Sequence, residues 1–351
     1  MLIVPSFSSR STTAVRRVLK KIKDPILMVG IKIVYDSLVK TTVLFDGSKV
    51  DIRKKFGTLK PLQIVAGQLR WGIPTVLAEV GKELNIPTTL ISHGSHHVPD
   101  SSFATFAQQT HAHGPLVSPL SGKTLLQSPH AEAFALKLDC TNGQRSRPIQ
   151  WGIGKKPATS SETKIRYILH AGTYKSWLTP RPWIYETPDE FIKGLISLIL
   201  ATGKLINTKL IIRIRPQADC SLLNLQRLLP KLDHYEIKSS GSFLDDISKA
   251  DLLVSWSSTT IEESLHLRKP VLLWGGSNRY FHLPPCRNFP TPQNRSEVYA
   301  PEKEEDLSHM IESILESHAG KPLTDAELNS HVWNENISGV DEFVRLLGTV
   351  K

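Results

Sequence analysis

Cysteine is scarce in this 351-residue chain. The three present, Cys140, Cys220 and Cys286, lie far apart and form no C-x-x-C pair. That excludes a disulfide framework and a cysteine zinc site, and it fits a reducing compartment. Long apolar runs are also missing. None approaches the ~18 residues that span a bilayer, and Met1–Pro5 is not followed by the apolar core of a signal peptide. A cytoplasmic protein, at most peripheral on the inner face of a membrane, is the expectation. Acidic residues are fewer than basic ones, 33 against 43, which gives a formal net charge of +10. An excess of that sign suits polyanionic partners. Aromatic residues are not interleaved with the basic ones in any stripe, so no specific nucleic-acid partner is expected. The one dense basic run is Arg16, Arg17, Lys20, Lys21 and Lys23. On a helix it forms a face able to rest on an anionic membrane surface, or simply a solvated face.

What is present is alternation. Short apolar runs at 42–45, 63–66, 88–92, 166–170, 210–215, 252–255 and 271–274 are separated by helical periodicities. The runs do not alternate polar with apolar, as expected for parallel strands buried on both faces. One helix is expected at 75–84, with Val76, Leu77, Val80 and Leu84 on its apolar face. Another opens at Pro188 and turns Phe191, Leu195, Ile196, Leu198 and Ile199 inward. A later one carries Leu307, Met310, Ile311, Ile314 and Leu315. Strand–helix alternation predicts an α/β class with parallel sheets. The stretch 144–163 is polar and aperiodic and marks the boundary between two halves. The division is 1–150, a linker at 151–163, and 164–351. Residues 284–301 read as an irregular loop, and a final helix near 339–347 is expected to return to the first half.

The densest chemical signal lies at 250–275, ADLLVSWSSTTIEESLHLRKPVLLWG. A buried strand runs into Ser257, Ser258, Thr259 and Thr260, a helix follows, Lys269-Pro270 ends it, and a second strand begins. A turn at the carboxyl end of a parallel strand is where open α/β sheets bind ligands. Hydroxyls and free backbone N–H groups there suit a phosphate. Helix capping is the simpler use of such residues, and Thr259 with Glu262, or Thr260 with Glu263, matches a capping box. Capping needs one hydroxyl, not four, and leaves a glutamate to bind ribose.

This segment resembles the C-terminal domain of GT-B-fold glycosyltransferases and glycerophosphotransferases of capsule, teichoic acid and lipopolysaccharide synthesis. The resemblance implies two Rossmann-like domains facing each other across a cleft, with the donor nucleotide on the second. It gives phosphate contacts to Ser257 and Ser258, or Ser258 and Thr259. LIIRIRP at 210–216 stands where related cytidine-nucleotide enzymes carry His-Pro. Arg213, Arg215 and Pro216 are therefore donor-side candidates, Arg being suited to bidentate phosphate contacts; pairing with acids at a strand end is the alternative. Asp245 and Asp246 read as solvated or capping residues. At 167–175, YILHAGTYK ends a strand in Gly172, Thr173 and Lys175, a loop of the kind that lines the interdomain cleft in such proteins.

On the acceptor side, LISHGSHHVP at 90–99 supplies His93, Gly94, Ser95 and His96. His93 is the candidate general base because its pKa lies near neutrality, with Asp100 and Glu79 behind it. Ser128 and His130, in QSPHAEAF, are further acceptor-side candidates. The histidine spacing matches no closed metal site, so neither metal nor cofactor is expected. The implied reaction moves a sugar from a nucleotide-sugar donor, CMP-type first and UDP second, to a glycan or lipid-linked acceptor. The alternatives are a sugar-nucleotide epimerase of the same fold and a non-catalytic nucleotide-binding or assembly subunit. For the epimerase, the sequence shows no clear set of acidic and basic cleft residues.

Overall fold

A computed structural model describes residues 47–70, 72–92, 102–146, 165–172, 174–175, 184–215, 221–276 and 280–333. Residues 47–59 are helical. The first sheet contains β1 (Ile64–Ala66), β2 (Thr88–Ile91), β3 (Lys123–Leu126) and β4 (Gly143–Arg145), in that order and all parallel. The helices between them are α1 (Ile73–Glu83), α2 (Ser102–Ala112) and α3 (Pro129–Lys137).

The second sheet is larger. Its strands are β5 (Arg166–Ala171), β6 (Thr208–Arg213), β7 (Tyr235–Lys238), β8 (Leu252–Ser255), β9 (Val271–Leu273) and β10 (Val298–Tyr299). They are ordered β10-β9-β8-β5-β6-β7, again all parallel. The chain builds outward from β5 through β6 and β7, then crosses to β8 and builds the other way. The order therefore reverses between β5 and β8, and such a switch point opens a crevice at the strands' carboxyl ends.

Neighbouring residues on these strands enter opposite cores. Ile168, Leu252 and Val254 pack on one face with α4 (Pro188–Thr202), α5 (Leu222–Leu228) and α8 (Leu307–Ser317). Leu169 and Leu253 pack on the other with α6 (Phe243–Lys249) and α7 (Thr260–His266). Burial on both faces explains why these strands read as unbroken apolar runs. Pro188 occupies the first turn of α4, and a full capping box precedes it. Thr187 Oγ1 accepts from Glu190 N at 3.1 Å, and Glu190 accepts from Thr187 N at 2.8 Å. Phe191, Leu195, Leu198 and Ile199 are buried as the periodicity predicts.

Four expectations change. Leu84 ends α1 as its C-cap and is 40% exposed, because the helix turns its Val76, Ala78 and Val80 side inward. Gln144 and Arg145 belong to β4, so the segment joining the halves begins later than 144. Within 284–301, Val298 and Tyr299 form a buried edge strand paired to β9. Lastly, 63–66 and 210–215 shorten or shift to Ile64–Ala66 and Thr208–Arg213, since ladder pairing rather than apolarity sets the ends. The run at 42–45, the linker at 151–163 and the helix near 339–347 lie outside the described residues.

The two halves touch through the segment before 334. Trp333 Nε1 donates to the Leu126 carbonyl at the end of β3 (3.2 Å). The Arg145 guanidinium lies 4.6 Å from the centre of the Trp333 ring. His130, in the first turn of α3, has its ring 4.7 Å from that of His331.

Candidate functional site

At the carboxyl ends of the paired strands β5 and β8, Ser255 Oγ donates to the Ala171 carbonyl (2.6 Å) and ties the floor of the crevice. Above it the chain leaves β8 through Trp256 and Ser257. Trp256 is buried; its Nε1 donates to the Tyr280 carbonyl at 2.8 Å. Its indole lies against the Gly275-Gly276 turn that follows β9. Gly276 has φ 57°, and a Cβ there would fall 1.8 Å from the indole, so only glycine fits.

A small cavity of about 20 Å³ opens here, lined among others by His170, Lys175, Glu186, Trp256, Ser257 and Gly275. That is room for a water rather than a sugar. Glu186 is 2% exposed, and its Oε1 accepts the Gly276 N–H at 3.1 Å. Burial raises its pKa to about 7, against the Gly276 bond and the nearby Lys175 charge. His170 is 5% exposed and its Nδ1 has no hydrogen-bond partner. Burial lowers its pKa to about 4, so it is neutral at pH 7.

The hydroxyl turn departs from the capping box. Thr259 sits at the N-cap with helical backbone angles and makes no side-chain cap. The turn is closed instead by Ile261 N to the Ser258 carbonyl (3.1 Å) and Thr260 N to Ser258 Oγ (3.3 Å). With Thr259 already helical, its side chain points away from the N–H groups it would cap. Thr260 Oγ1 is buried without a partner.

Glu262, in the first turn of α7, is buried and accepts from His282 Nε2 at 3.0 Å. Glu263 beside it is pushed up to about 7, first by burial and then by the Glu262 charge. A second acid–base pair, His331 Nε2 with Glu297 Oε1 (2.9 Å), backs His130. Burial and the His331 charge hold His130 down to about 4, while the Glu297 and Glu262 charges oppose this. The His130 imidazole of the first half thus stands in one electrostatic neighbourhood with His282, His331, Glu262 and Glu297 of the second. None of Glu186, His282, Glu297 or His331 is marked by a local motif. They come together only through the fold.

Three sequence candidates have structural contacts: Arg213, Ser128 and Glu79. Arg213 donates to Asp246 Oδ2 at 2.5 Å and to the Ser240 carbonyl at 3.1 Å, which fixes the loop after β7. Asp246 is correspondingly buried in an ion pair, not solvated or capping. Arg213 thus follows the alternative reading, a strand-end arginine paired with an acid, and α6 supplies that acid. Arg215 is exposed just beyond β6. Ser128 is the N-cap of α3, its Oγ accepting from Ala131 N at 3.1 Å. Glu79 is ion-paired with Lys49. Gly172 follows β5 beside the His170 ring, and a Cβ there would lie 3.3 Å from it. His93, Gly94, Ser95, His96, Asp100, Thr173, Pro216 and the basic run at 16–23 lie outside the described residues. Among the described residues, no group of three or more histidine, cysteine or acidic side chains could hold a metal, and no helix is long and apolar enough to cross a membrane.

No family model matches the chain, and no curated protein matches it in sequence. Solved structures match it in fold. A UDP-GlcNAc 2-epimerase from Methanocaldococcus jannaschii, in complex with UDP-GlcNAc and UDP, is similar with a TM-score of 0.55 at 15% identity, over 86% of this chain and 80% of that one. The UDP co-structure of S. aureus MnaA gives 0.54 at 10% identity, over 89% and 84%. A UDP-GlcNAc 2-epimerase from Neisseria meningitidis, bound to UDP-GlcNAc, gives 0.52 at 14%, over 86% and 80%. The fold is the GT-B type, two parallel α/β units.

Proposed function

We propose that this chain is an enzyme that binds a nucleotide sugar, a uridine-diphosphate sugar before a cytidine one, and inverts a stereocentre of the bound sugar. The nucleotide lies over the carboxyl ends of β5 and β8. Lys175, Arg215 and the hydroxyls of Ser257, Ser258 and Thr259 meet its phosphates, and Glu262 or Glu263 its ribose. Inverting a carbon centre means removing its proton and returning one to the other face, which calls for acid–base groups on both sides of the sugar. The observation that carries this is His130 of the first half against the His331–Glu297 pair of the second, within electrostatic range of the Glu262–His282 pair. The likeness in fold to UDP-GlcNAc 2-epimerases supports the same reading.

Sugar transfer to a glycan or lipid-linked acceptor in surface-polysaccharide synthesis is the second reading. It is favoured by the Ser-Ser-Thr-Thr turn followed by a helix, Lys-Pro and a strand. Incubation with UDP-GlcNAc and no acceptor, followed by proton NMR, separates the two. Epimerisation yields a second diastereomer of the intact nucleotide sugar. Transfer leaves the substrate unchanged until an acceptor is added, and that outcome would overturn the first reading.

A further inference from the structure

Glu186 is a carboxyl group that neither the sequence motifs nor the fold comparison brings forward. It shares one small cavity with Lys175, Ser257 and His170. The charged and titratable groups around it come from three elements. His170 is on β5, Lys175 lies just beyond β5, and Glu190 is in the first turn of α4. From the turn after β9, among the described residues, Gly276 contributes its N–H. The neighbouring charges among the described residues are one cation and one further carboxylate.

This arrangement conflicts with an anionic ligand. A diphosphate drawn to Lys175 and Ser257 would share Lys175 with Glu186 and place like charge beside a buried carboxylate. Like charge and lost pairing both favour the neutral acid. We infer that Glu186 carries a proton whenever a nucleotide sugar occupies this crevice, so that binding takes up one proton from solvent onto the Glu186 carboxylate. The inference rests on the nucleotide-sugar reading above. Its physical support is geometric: the carboxyl is buried, bonded to the Gly276 N–H at 3.1 Å, and shares its cavity with Lys175 and Ser257, so a phosphate drawn to those two stands beside it. Burial already raises its pKa to about 7.

The consequence has a sign. Above the free-state pKa, each unit of pH weakens binding by up to about tenfold, until the pKa of the complex is reached. A nucleotide sugar is a clean probe because each phosphorus, bearing one ester and the shared anhydride oxygen, keeps only a strongly acidic hydroxyl that exchanges no proton near neutrality.

The test is calorimetric titration of the full chain with UDP-GlcNAc at pH 8, in two buffers of different ionisation heat. Uptake of close to one proton is expected, with affinity falling between pH 7 and 8. Glu186→Gln keeps an oxygen for the Gly276 N–H and should bind with no proton uptake and a flat pH profile. Infrared difference spectra of the wild-type chain, which need no variant, should gain a protonated-carboxyl band on adding ligand. Binding without proton uptake overturns the inference and leaves the nucleotide site standing. Uptake that persists in Glu186→Gln and vanishes in Glu263→Gln assigns the proton to Glu263 and also overturns it. No binding of UDP-GlcNAc at all removes the site reading itself.

Discussion

Gly276 shows how narrowly single residues shape this crevice. Its positive φ and its contact with the Trp256 indole leave no room for a side chain. Gly276→Ala should cost at least about 1–2 kcal/mol for the left-handed backbone alone, and it should disturb Trp256 fluorescence. Chemical denaturation that shows no loss would contradict the packing described. His170 gives a prediction in pH. Folding holds it neutral down to about pH 4, whereas the unfolded chain binds a proton near 6.5. The unfolded state therefore gains protons first as pH falls. The stability is fully present above about 6.5 and is lost through the window down to about 4, by about 3 kcal/mol for this residue. His130 and His318, held down to about 4 chiefly by burial, add to the same trend. Thermal melts from pH 7 to 4 should fall steeply, and His170→Phe should flatten part of that fall.

Among the elements, the two arginines of β6 and its exit separate cleanly. Arg213 holds Asp246 and a loop carbonyl, with both side chains largely covered. Arg213→Ala leaves Asp246 with only the longer Lys238 contact (3.3 Å) and should destabilise by about 2 kcal/mol, less than losing the sole partner of a buried charge. Arg215→Ala should leave the unfolding midpoint unchanged, since the residue is exposed. Equal losses in the two variants would contradict this division. The sequence could not make it, because the acid that claims Arg213 lies 33 residues downstream on α6. The strands divide in the same way. β5, β6, β8 and β9 were legible because burial on both faces makes them continuous apolar runs. The edge strands β4 (GQR), β7 (YEIK) and β10 (VY) were not, because pairing to a neighbour rather than composition makes them strands. The turn at Ser257–Thr260 was legible as a strand-to-helix corner at the carboxyl end of β8. Its capping chemistry was misread because the N-cap backbone is already helical.

For the molecule as a whole, the candidate site is assembled from distant parts of the chain. His130 meets His331 across 201 positions, and Trp333 meets Leu126 across 207. No spacing rule could show this, which explains why the linear pattern does not reveal the Glu262–His282 and Glu297–His331 pairs that the fold forms. The account depends on a nucleotide sugar lying over the β5–β8 switch point, against Ser258 and Arg215. A thermal-shift titration with UDP, UDP-GlcNAc, CMP and GDP, run on the wild-type chain and the Ser258→Ala/Arg215→Ala double variant, tests it most directly. A saturable rise in Tm is expected with the uridine ligands. That rise should be lost in the double variant, whose unliganded Tm falls only by the small amount expected for losing the Ser258 Oγ–Thr260 N–H bond. No shift with any nucleotide, or an undiminished shift in the double variant, would contradict the account.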